Sequence, residues 1–360
     1  MSDSPLWNPS EQEALVCRAV RRETADVITF VLATPTPARF AYRAGQFVTI
    51  EVTCAGATYN RCYTLSSTPT RPDLASITVK RVPGGPVSNW LHDHLKPGML
   101  LPTTGPIGEF VREIAPSTKL LYLSAGSGIT PLMSMTRATM DGAERADIVF
   151  LHSARTLGDI IFKSELDYFT SIDRGVRAAY VCETDGGGPW HGPRGRLTLD
   201  MLSEACPDFL QRTVFTCGPA GYMAAVRAML ETVGFDMTRY HQESFSFETL
   251  SRDEPHVARA VEDAEPIVQG VPQQGFRVHF SKSGITVDCA PDETVLSAAR
   301  KGGMRLPSSC RQGVCGTCKS KVASGTVDMK AAGGIRQREI DQGMALLCCS
   351  RPTSDLVIDR

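Results

Sequence analysis

No uninterrupted apolar run in this chain of 360 residues approaches the roughly 20 residues of a membrane-spanning helix, so no membrane-embedded segment is expected. The first residues, Met1-Ser-Asp-Ser-Pro-Leu-Trp-Asn, lack a basic stretch followed by an apolar one. A signal peptide is therefore not expected, and the cytoplasm is the expected location. No internal repeat or low-complexity tract is visible. An excess of one charge is missing too. The 38 Lys and Arg against 39 Asp and Glu leave −1, which points to neither nucleic acid nor membrane. The length itself is too great for one typical domain and predicts two or three.

Cysteine is what the chain has in quantity. Twelve are present, and without an export signal they are expected to be reduced rather than paired. Three lie in one short stretch, Cys310-Arg-Gln-Gly-Val-Cys315-Gly-Thr-Cys318, and Cys348 follows after twenty-nine more residues. Four residues and then two between successive cysteines is the plant-type ligand pattern of a 2Fe–2S cluster. Two bridged irons need four converging thiolates. A short loop can supply three, and a distant element must supply the fourth. Gly313 and Gly316 suit such a loop, because glycine lets backbone N–H groups approach the sulfides. The competing reading is a zinc site on Cys315-x-x-Cys318. Structural zinc sites usually pair two such knuckles, and only one is present.

From about Ala14 to Pro116 the sequence reads as short β-strands separated by turns, for example Val27–Leu32, Phe47–Val52 and Ser76–Val82. Strands at this spacing predict a small antiparallel barrel or sandwich. Two motifs stand out there, Arg61-Cys-Tyr63-Thr64-Leu-Ser-Ser67 and Lys80-Arg-Val-Pro-Gly84-Gly85-Pro-Val87-Ser88-Asn-Trp-Leu91. Gly84-Gly85 gives a backbone able to approach a phosphate, and Ser88 is the expected N-cap of a following helix. A helix N-terminus is an anion site. Taken alone, Gly84-Gly85-Pro86 would be an ordinary turn. His92 and His94 occupy alternate helical positions that point apart, and both are expected at the surface.

From Lys119 the pattern becomes strands alternating with helices, which predicts a parallel sheet. The apolar run Leu120–Ser124 ends in Ala125-Gly126-Ser127-Gly128-Ile129-Thr130-Pro131. A glycine-rich turn between strand and helix presents N–H groups and a helix dipole to phosphates. Further strands end in His152-Ser153-Ala-Arg155-Thr156, in Cys182-Glu183-Thr184 and in Cys217-Gly218-Pro219. Ends of parallel strands are where open sheets bind ligands. Tyr240-His-Gln-Glu243-Ser-Phe245 closes the segment. Residues 251–275, with three prolines and no clear period, read as a linker. Phe276–Phe280 and Ile285–Cys289 then form a hairpin signal. Asp292 is the expected N-cap of a helix through Val295, Leu296 and Ala299, stopped by Gly302-Gly303.

These motifs together resemble those of three-part oxygenase reductases. The first two segments are similar to the ferredoxin–NADP reductase superfamily, and the last looks like a plant-type ferredoxin of the β-grasp fold. Within that group the chain looks most like the reductase component of glycine betaine monooxygenase-type Rieske systems. The resemblance implies an FAD-binding β-barrel domain over 14–116, an NAD-binding α/β domain over 117–250 and a 2Fe–2S ferredoxin domain over 276–360. It assigns flavin contacts to Arg61, Cys62, Tyr63 and Thr64, and to Val79, Lys80, Val82, Gly84, Gly85, Val87 and Ser88. It assigns nucleotide contacts to Gly126, Gly128, Thr130, Pro131, Ser153, Arg155, Glu183, Cys217, Gly218 and Pro219, with Phe245 against the flavin. Thr64 and Cys217 would orient the flavin–nicotinamide contact. Cys310, Cys315, Cys318 and Cys348 would hold the cluster.

The implied path runs from NADH through FAD and the 2Fe–2S cluster to an acceptor. None of the seven histidines stands two residues after a cysteine, so no Rieske centre is present and the terminal oxygenase is expected to be a separate protein. A Rieske oxygenase demethylating a methylammonium compound is the expected partner. Reduction of a hybrid-cluster protein or a diiron oxygenase uses the same three modules, and a non-catalytic redox sensor is a third reading. Phe276 to Arg360 carries thirteen Lys and Arg against eight Asp and Glu, a net +5 in a chain of −1. This excess reads either as a face for an acidic partner or as compositional drift. NADH is favoured over NADPH because Glu183 would stand where a 2′-phosphate needs a cation, although Arg155 could reach that phosphate from the neighbouring strand.

Overall fold

The computed structural model describes residues 4–8, 12, 14–54, 56–112, 118–142, 147–244, 275–304, 306, 313, 318–331, 335 and 337–360. The chain divides into two compact units. One is Met1–Cys54 with Tyr63–Glu254, and the other is Ala55–Cys62 with Pro255–Arg360. None of the described helices is long and apolar enough to cross a membrane.

The first part of the chain forms β1 (Ala14–Thr24), β2 (Val27–Ala33), β3 (Phe47–Cys54), β4 (Ala57–Thr64), β5 (Ala75–Lys80), α1 (Pro86–His94) and β6 (Leu100–Ile107). The sheet order is β4-β3-β6-β1-β2-β5. An isolated antiparallel bridge joins Leu65, just after β4, to Ile77 in β5, with the Ser66 amide donating to the Ser76 carbonyl at 2.8 Å. That bridge brings the two ends of the sheet together, which makes it a small barrel. Leu15, Phe30, Ile50, Leu65 and Ile77 fill it and are fully buried. Each such side chain contributes roughly 1.5–3 kcal/mol.

The second part alternates strand and helix as expected. It comprises β7 (Leu120–Ala125), α2 (Ile129–Asp141), β8 (Ile148–Ala154), α3 (Lys163–Ile172), β9 (Val176–Cys182), α4 (Leu199–Ala205), β10 (Thr213–Gly218), α5 (Ala220–Thr232) and β11 (Tyr240–Ser244). All pairs are parallel, in the order β11-β10-β7-β8-β9. Every residue of β7 is buried because the sheet is covered on both faces, which explains its unbroken apolar run. One face packs Tyr122, Phe150 and Phe215 with Leu132 of α2 and Leu166 and Phe169 of α3. The other packs Leu121, Leu123, Val149 and Val214 with Leu202 of α4 and Val226 and Leu230 of α5.

Helix α2 also fastens this sheet to the barrel within the same unit. Arg137 donates to the Ser66 carbonyl and forms a two-point pair with Glu165 at 2.8 and 2.6 Å. Its guanidinium lies 4.5 Å from the Phe162 ring centroid. Ser134 donates to the Ser67 carbonyl at 2.6 Å. The residues just beyond Thr64 are thereby held against the helix that follows the glycine turn.

The C-terminal part contains β12 (Phe276–Phe280), β13 (Ile285–Cys289), α6 (Val295–Lys301), β14 (Lys319–Ser324), β15 (Val327–Met329), α7 (Gln337–Asp341), β16 (Met344–Leu346), β17 (Ser350–Pro352) and β18 (Leu356–Ile358). The main sheet runs β13-β12-β18-β14-β16 with β12 and β18 parallel, and β15 pairs with β17 separately. This mixed sheet with one packed helix is the expected β-grasp arrangement. Val295, Leu296 and Ala299 of α6 pack on Val278, Phe280 and Leu347.

Three local expectations need correction. Helix α1 starts earlier than its motif implied, with Gly85 as N-cap, Pro86 in the first turn and Ser88 already inside the helix. Proline is tolerated there because its missing N–H has no intrahelical partner to lose. Helix α6 is capped by Thr294, whose side chain accepts from the Ser297 amide, rather than by Asp292. His92 is not a free surface residue. It is half-buried, with Nε2 2.9 Å from the Val79 carbonyl. His94 does lie outside and stacks on Trp90.

Candidate functional site

Thr64 ends β4 in the barrel and is 3% exposed. Its hydroxyl has no hydrogen-bond partner among the described residues. A buried hydroxyl left so is costly unless a ligand completes it. Arg61, Cys62 and Tyr63 precede it and are half-buried, with Arg61 5.7 Å from the Tyr59 ring centroid. Side chains alternate along a strand, so Thr64 and Cys62 face one way and Tyr63 and Arg61 the other.

The second barrel motif forms a tied loop at the N-terminus of α1. The Ser88 hydroxyl accepts from the Val82 amide at 3.1 Å, and the Asn89 side chain donates to the Val82 and Gly85 carbonyls at 2.9 and 2.7 Å. Gly84 has φ +72° with open space beside it, and a side chain at Gly85 would meet Ser88 Oγ at 2.9 Å. Rigid backbone, glycine and helix N-terminus together fit a pyrophosphate. Val79 and Val87 are buried beneath this loop's flanks, and Lys80 ends β5 with Nζ 3.5 Å from Asp26.

In the parallel sheet Gly126, Ser127 and Gly128 form a tight helical turn that leads straight into α2. Gly126 has φ +52° and open space around it. Thr130 donates to the Ser127 carbonyl at 3.1 Å, and Pro131 is buried in the first turn of α2. Gly128 lies against the end of β10, where an added Cβ would stand 2.2 Å from the Cys217 carbonyl oxygen. Gly218 is similarly close to the Tyr222 ring, and Pro219 caps α5.

The strand register sets Cys217, an expected nicotinamide contact, in line with four residues that sequence reasoning left unassigned. Glu243, Cys217, Ser124, His152 and Tyr180 are direct partners across successive parallel strands. They form one polar row at the carboxyl end of the sheet, where ligands of such sheets bind. Cys217 is fully buried, and burial followed by the nearby Glu243 pushes its thiol well up, so it stays protonated. Glu243 is half-buried as a residue but its carboxyl tip is enclosed, with Oε2 lacking a partner among the described residues. Burial raises that carboxyl to about 8, so it is mostly neutral and can donate a proton at neutral pH. His152 is fully buried, its Nδ1 lies 2.7 Å from Ser124 Oγ, and its Nε2 has no partner among the described residues. Burial, then the charge of Lys80, holds it neutral down to about 3. Glu243 was visible in a quoted motif, but only the register places it beside Cys217.

Other expected nucleotide residues sit at the strand ends. Ser153 is half-buried, and Glu183 and Arg155 are exposed. The Glu183 and Thr184 amides donate to the Ala154 and Arg155 carbonyls at 3.0 and 2.9 Å, which ties the ends of β8 and β9 together. Arg155 is held by Asp26 at 3.0 Å and Asp159 at 3.1 Å. Phe245 lies outside the described residues.

In the C-terminal unit Cys318 and Cys348 come together. Both are buried, and the Cys348 amide donates to Cys318 Sγ at 3.4 Å. An N–H aimed at sulfur stabilises a thiolate, as ligation of a 2Fe–2S cluster requires. Gly313 has φ +74°, a conformation that favours glycine at this position. Cys310 and Cys315 lie outside the described residues, so two of the four named thiols are placed.

Comparison with known proteins covers all three parts. Residues 16–111 match the oxidoreductase FAD-binding domain, 122–228 the oxidoreductase NAD-binding domain and 278–353 the 2Fe-2S iron-sulfur cluster binding domain. A glycine betaine monooxygenase reductase subunit of Pseudomonas aeruginosa is 44% identical over 344 residues, covering 95% of this chain and 94% of that protein. A stachydrine N-demethylase reductase subunit of Rhizobium meliloti is 38% identical, covering 95% of each. Among solved structures, phthalate dioxygenase reductase aligns with TM-score 0.58 and 24% identity over 98% of this chain and 100% of that one, a likeness of fold.

Proposed function

The chain belongs to the family of FAD-, NAD- and 2Fe-2S-binding oxidoreductases that contains the glycine betaine monooxygenase reductase subunits, and on that premise we propose that it draws electrons from NADH for a separate Rieske-type oxygenase demethylating a quaternary or tertiary methylammonium compound. The observation that supports this reading most is similarity along nearly the whole chain to reductase subunits of a glycine betaine monooxygenase and of a stachydrine N-demethylase. The lack of any Cys-x-His pair for a Rieske centre agrees with a partner that carries the terminal chemistry. The cytoplasm is the proposed location.

When bound, FAD takes two electrons together from the nicotinamide and the 2Fe–2S cluster accepts them one at a time. The chain's own residues supply position and electrostatics. Gly84, Gly85 and the N-terminus of α1 would cradle the flavin pyrophosphate. The unpartnered Thr64 hydroxyl would complete its hydrogen bonding on the flavin. Gly126 and Gly128 would present amides to the nucleotide phosphates, and Gly128 lets that turn close onto Cys217. Cys217 stays a thiol and packs without charge, while the mostly neutral Glu243 carboxyl belongs to the partnering residue on β11. Cys318 and Cys348 would be two of the four cluster ligands.

The test is reconstitution. The purified protein is mixed with candidate Rieske oxygenases and betaine-like substrates, and NADH loss and formaldehyde release are followed. Both should require oxygenase, oxygen and substrate together. Dye reduction by NADH with no coupling to any demethylating oxygenase would reject the partner.

Nucleotide choice gives a second prediction. Glu183 is exposed at the end of β9, and Arg155 stands beside two carboxylates, Asp26 and Asp159, that offset its charge. A 2′-phosphate would meet more negative than positive charge there. NADH should exceed NADPH in kcat/KM by about tenfold or more. Glu183→Arg should narrow that gap. A clear NADPH preference in the unaltered protein would reject the assignment of Glu183.

A further inference from the structure

Lys80 and Arg155, both expected near the cofactors, are held by one carboxylate that has no assigned role. Asp26 stands in the turn between β1 and β2 of the barrel. Its Oδ2 accepts from Arg155 Nη2 at 3.0 Å and lies 3.5 Å from Lys80 Nζ. Its Oδ1 accepts from the Thr24 hydroxyl at 3.0 Å, and its backbone carbonyl accepts from the Arg81 amide at 2.7 Å. The turn therefore holds the carboxylate in place. Burial opposes its charge, but Lys80, Thr24 and Arg155 outweigh burial and keep the carboxyl below its ordinary range.

The two cations belong to elements that carry the phosphate turn. Lys80 ends β5, which packs against Gly126–Gly128. Arg155 follows β8, the sheet neighbour of β7, and β7 feeds that turn. A carboxylate paired with cations on the elements that flank the amide-rich turn occupies them as an anionic ligand would. Side chains exposed to the degree of Arg155, at 58%, form pairs that are cheap to exchange.

We propose that Asp26 holds the place of the nicotinamide dinucleotide pyrophosphate at Arg155: it neutralises that guanidinium in the nucleotide-free protein, and an arriving dinucleotide displaces it from Arg155. The inference rests on the reading of the chain as an NADH-binding reductase. Its consequence is weaker binding of NADH and NAD+ alike, which favours release of the oxidised nucleotide.

The experiment is equilibrium binding of ADP-ribose, which carries the pyrophosphate without the nicotinamide, to the oxidised FAD-loaded protein at several salt concentrations. Asp26→Asn should lower Kd about fivefold to tenfold and steepen its salt dependence. The 2′-phosphorylated form of ADP-ribose should gain by the same factor, because the pyrophosphate is common to both. Adding Arg155→Met to Asp26→Asn should remove much of the gain. If Asp26 only fastens the barrel to the sheet, Asp26→Asn will weaken ADP-ribose binding or leave it unchanged, and either result overturns the proposal. A gain confined to the 2′-phosphorylated ligand overturns it as well. Failure of the unaltered protein to bind either ligand would overturn both this inference and the functional reading beneath it.

Discussion

Cys348→Ser protein should purify without the visible absorbance of an iron–sulfur cluster, whereas Cys349→Ser should keep it. The two cysteines are adjacent, so spacing alone leaves a choice of one residue. Their surroundings differ. Cys348 is 7% exposed, and its amide donates to Cys318 Sγ at 3.4 Å. Cys349 is half-buried, and its Sγ lies 3.6 Å from the Leu346 carbonyl. Among the described residues, Cys348 rather than Cys349 therefore has its amide directed at another expected ligand. Replacing a thiolate ligand by a hydroxyl removes the soft donor that iron–sulfur clusters require. NADH-driven reduction of a dye at the flavin should survive in Cys348→Ser within about twofold, since Cys348 belongs to the core of the C-terminal unit and not to the cores of the parallel sheet. That survival separates loss of the cluster from loss of the fold. Loss of the cluster absorbance in Cys349→Ser, with its retention in Cys348→Ser, would reverse the assignment.

Gly128→Ala should lower kcat/KM for NADH about tenfold to hundredfold. The reason is close approach and not backbone freedom. Gly128 has φ −63° and ψ −6°, which alanine adopts without strain. An added methyl would stand 2.2 Å from the Cys217 carbonyl oxygen, 2.4 Å from its carbon and 2.6 Å from the Gly218 nitrogen. All three are backbone atoms of β10, so no side chain can rotate away. The glycine turn and the end of β10 must separate by about 1 Å to reach ordinary contact. Overpacking of this kind costs about 1–3 kcal/mol. Here the separation falls between the turn expected to hold the phosphates and Cys217, so it should lower turnover as well as stability. Gly126→Ala is the contrasting variant. Space around Gly126 is open, but φ is +52°, so alanine should cost about 1–2 kcal/mol in stability without wedging the strands apart. Steady-state kinetics and melting temperatures of the two variants test this. A Gly128→Ala protein within twofold of the unaltered kcat/KM would reject the argument.

The motifs readable in the sequence were those whose chemistry is local. Cys310, Cys315 and Cys318 fall in nine consecutive residues, so their spacing is a property of one short stretch of sequence. The apolar run of β7 announces a strand buried on both faces, and its glycine turn follows at once. Local competition between capping residues is settled by packing. Ser88 and Asp292 are good capping residues, yet Gly85 and Thr294 take the caps. In α1 the Ser88 hydroxyl is used instead to accept from the Val82 amide. A cap is chosen by where the preceding chain enters the helix, and that direction comes from packing.

By itself the sequence determined the order of three modules, the kind of cofactor each one suits and four cysteines with cluster spacing. Those properties follow from residue type and short-range periodicity, which survive without knowledge of distant contacts. Tertiary structure alone decided which distant side chains share an environment. Parallel register sets Glu243 beside Cys217 and Ser124 beside His152, although the partners lie 26 and 28 positions apart in the chain. Folding brings Asp26 of the barrel to Arg155, 129 positions later. The enclosed carboxyl of Glu243, the neutral imidazole of His152 and the neutralised pair of cations all depend on burial and on charges from other strands. Desolvation and Coulomb interactions act through space, so the chemical state of these groups was settled only when the sheet and the barrel packed.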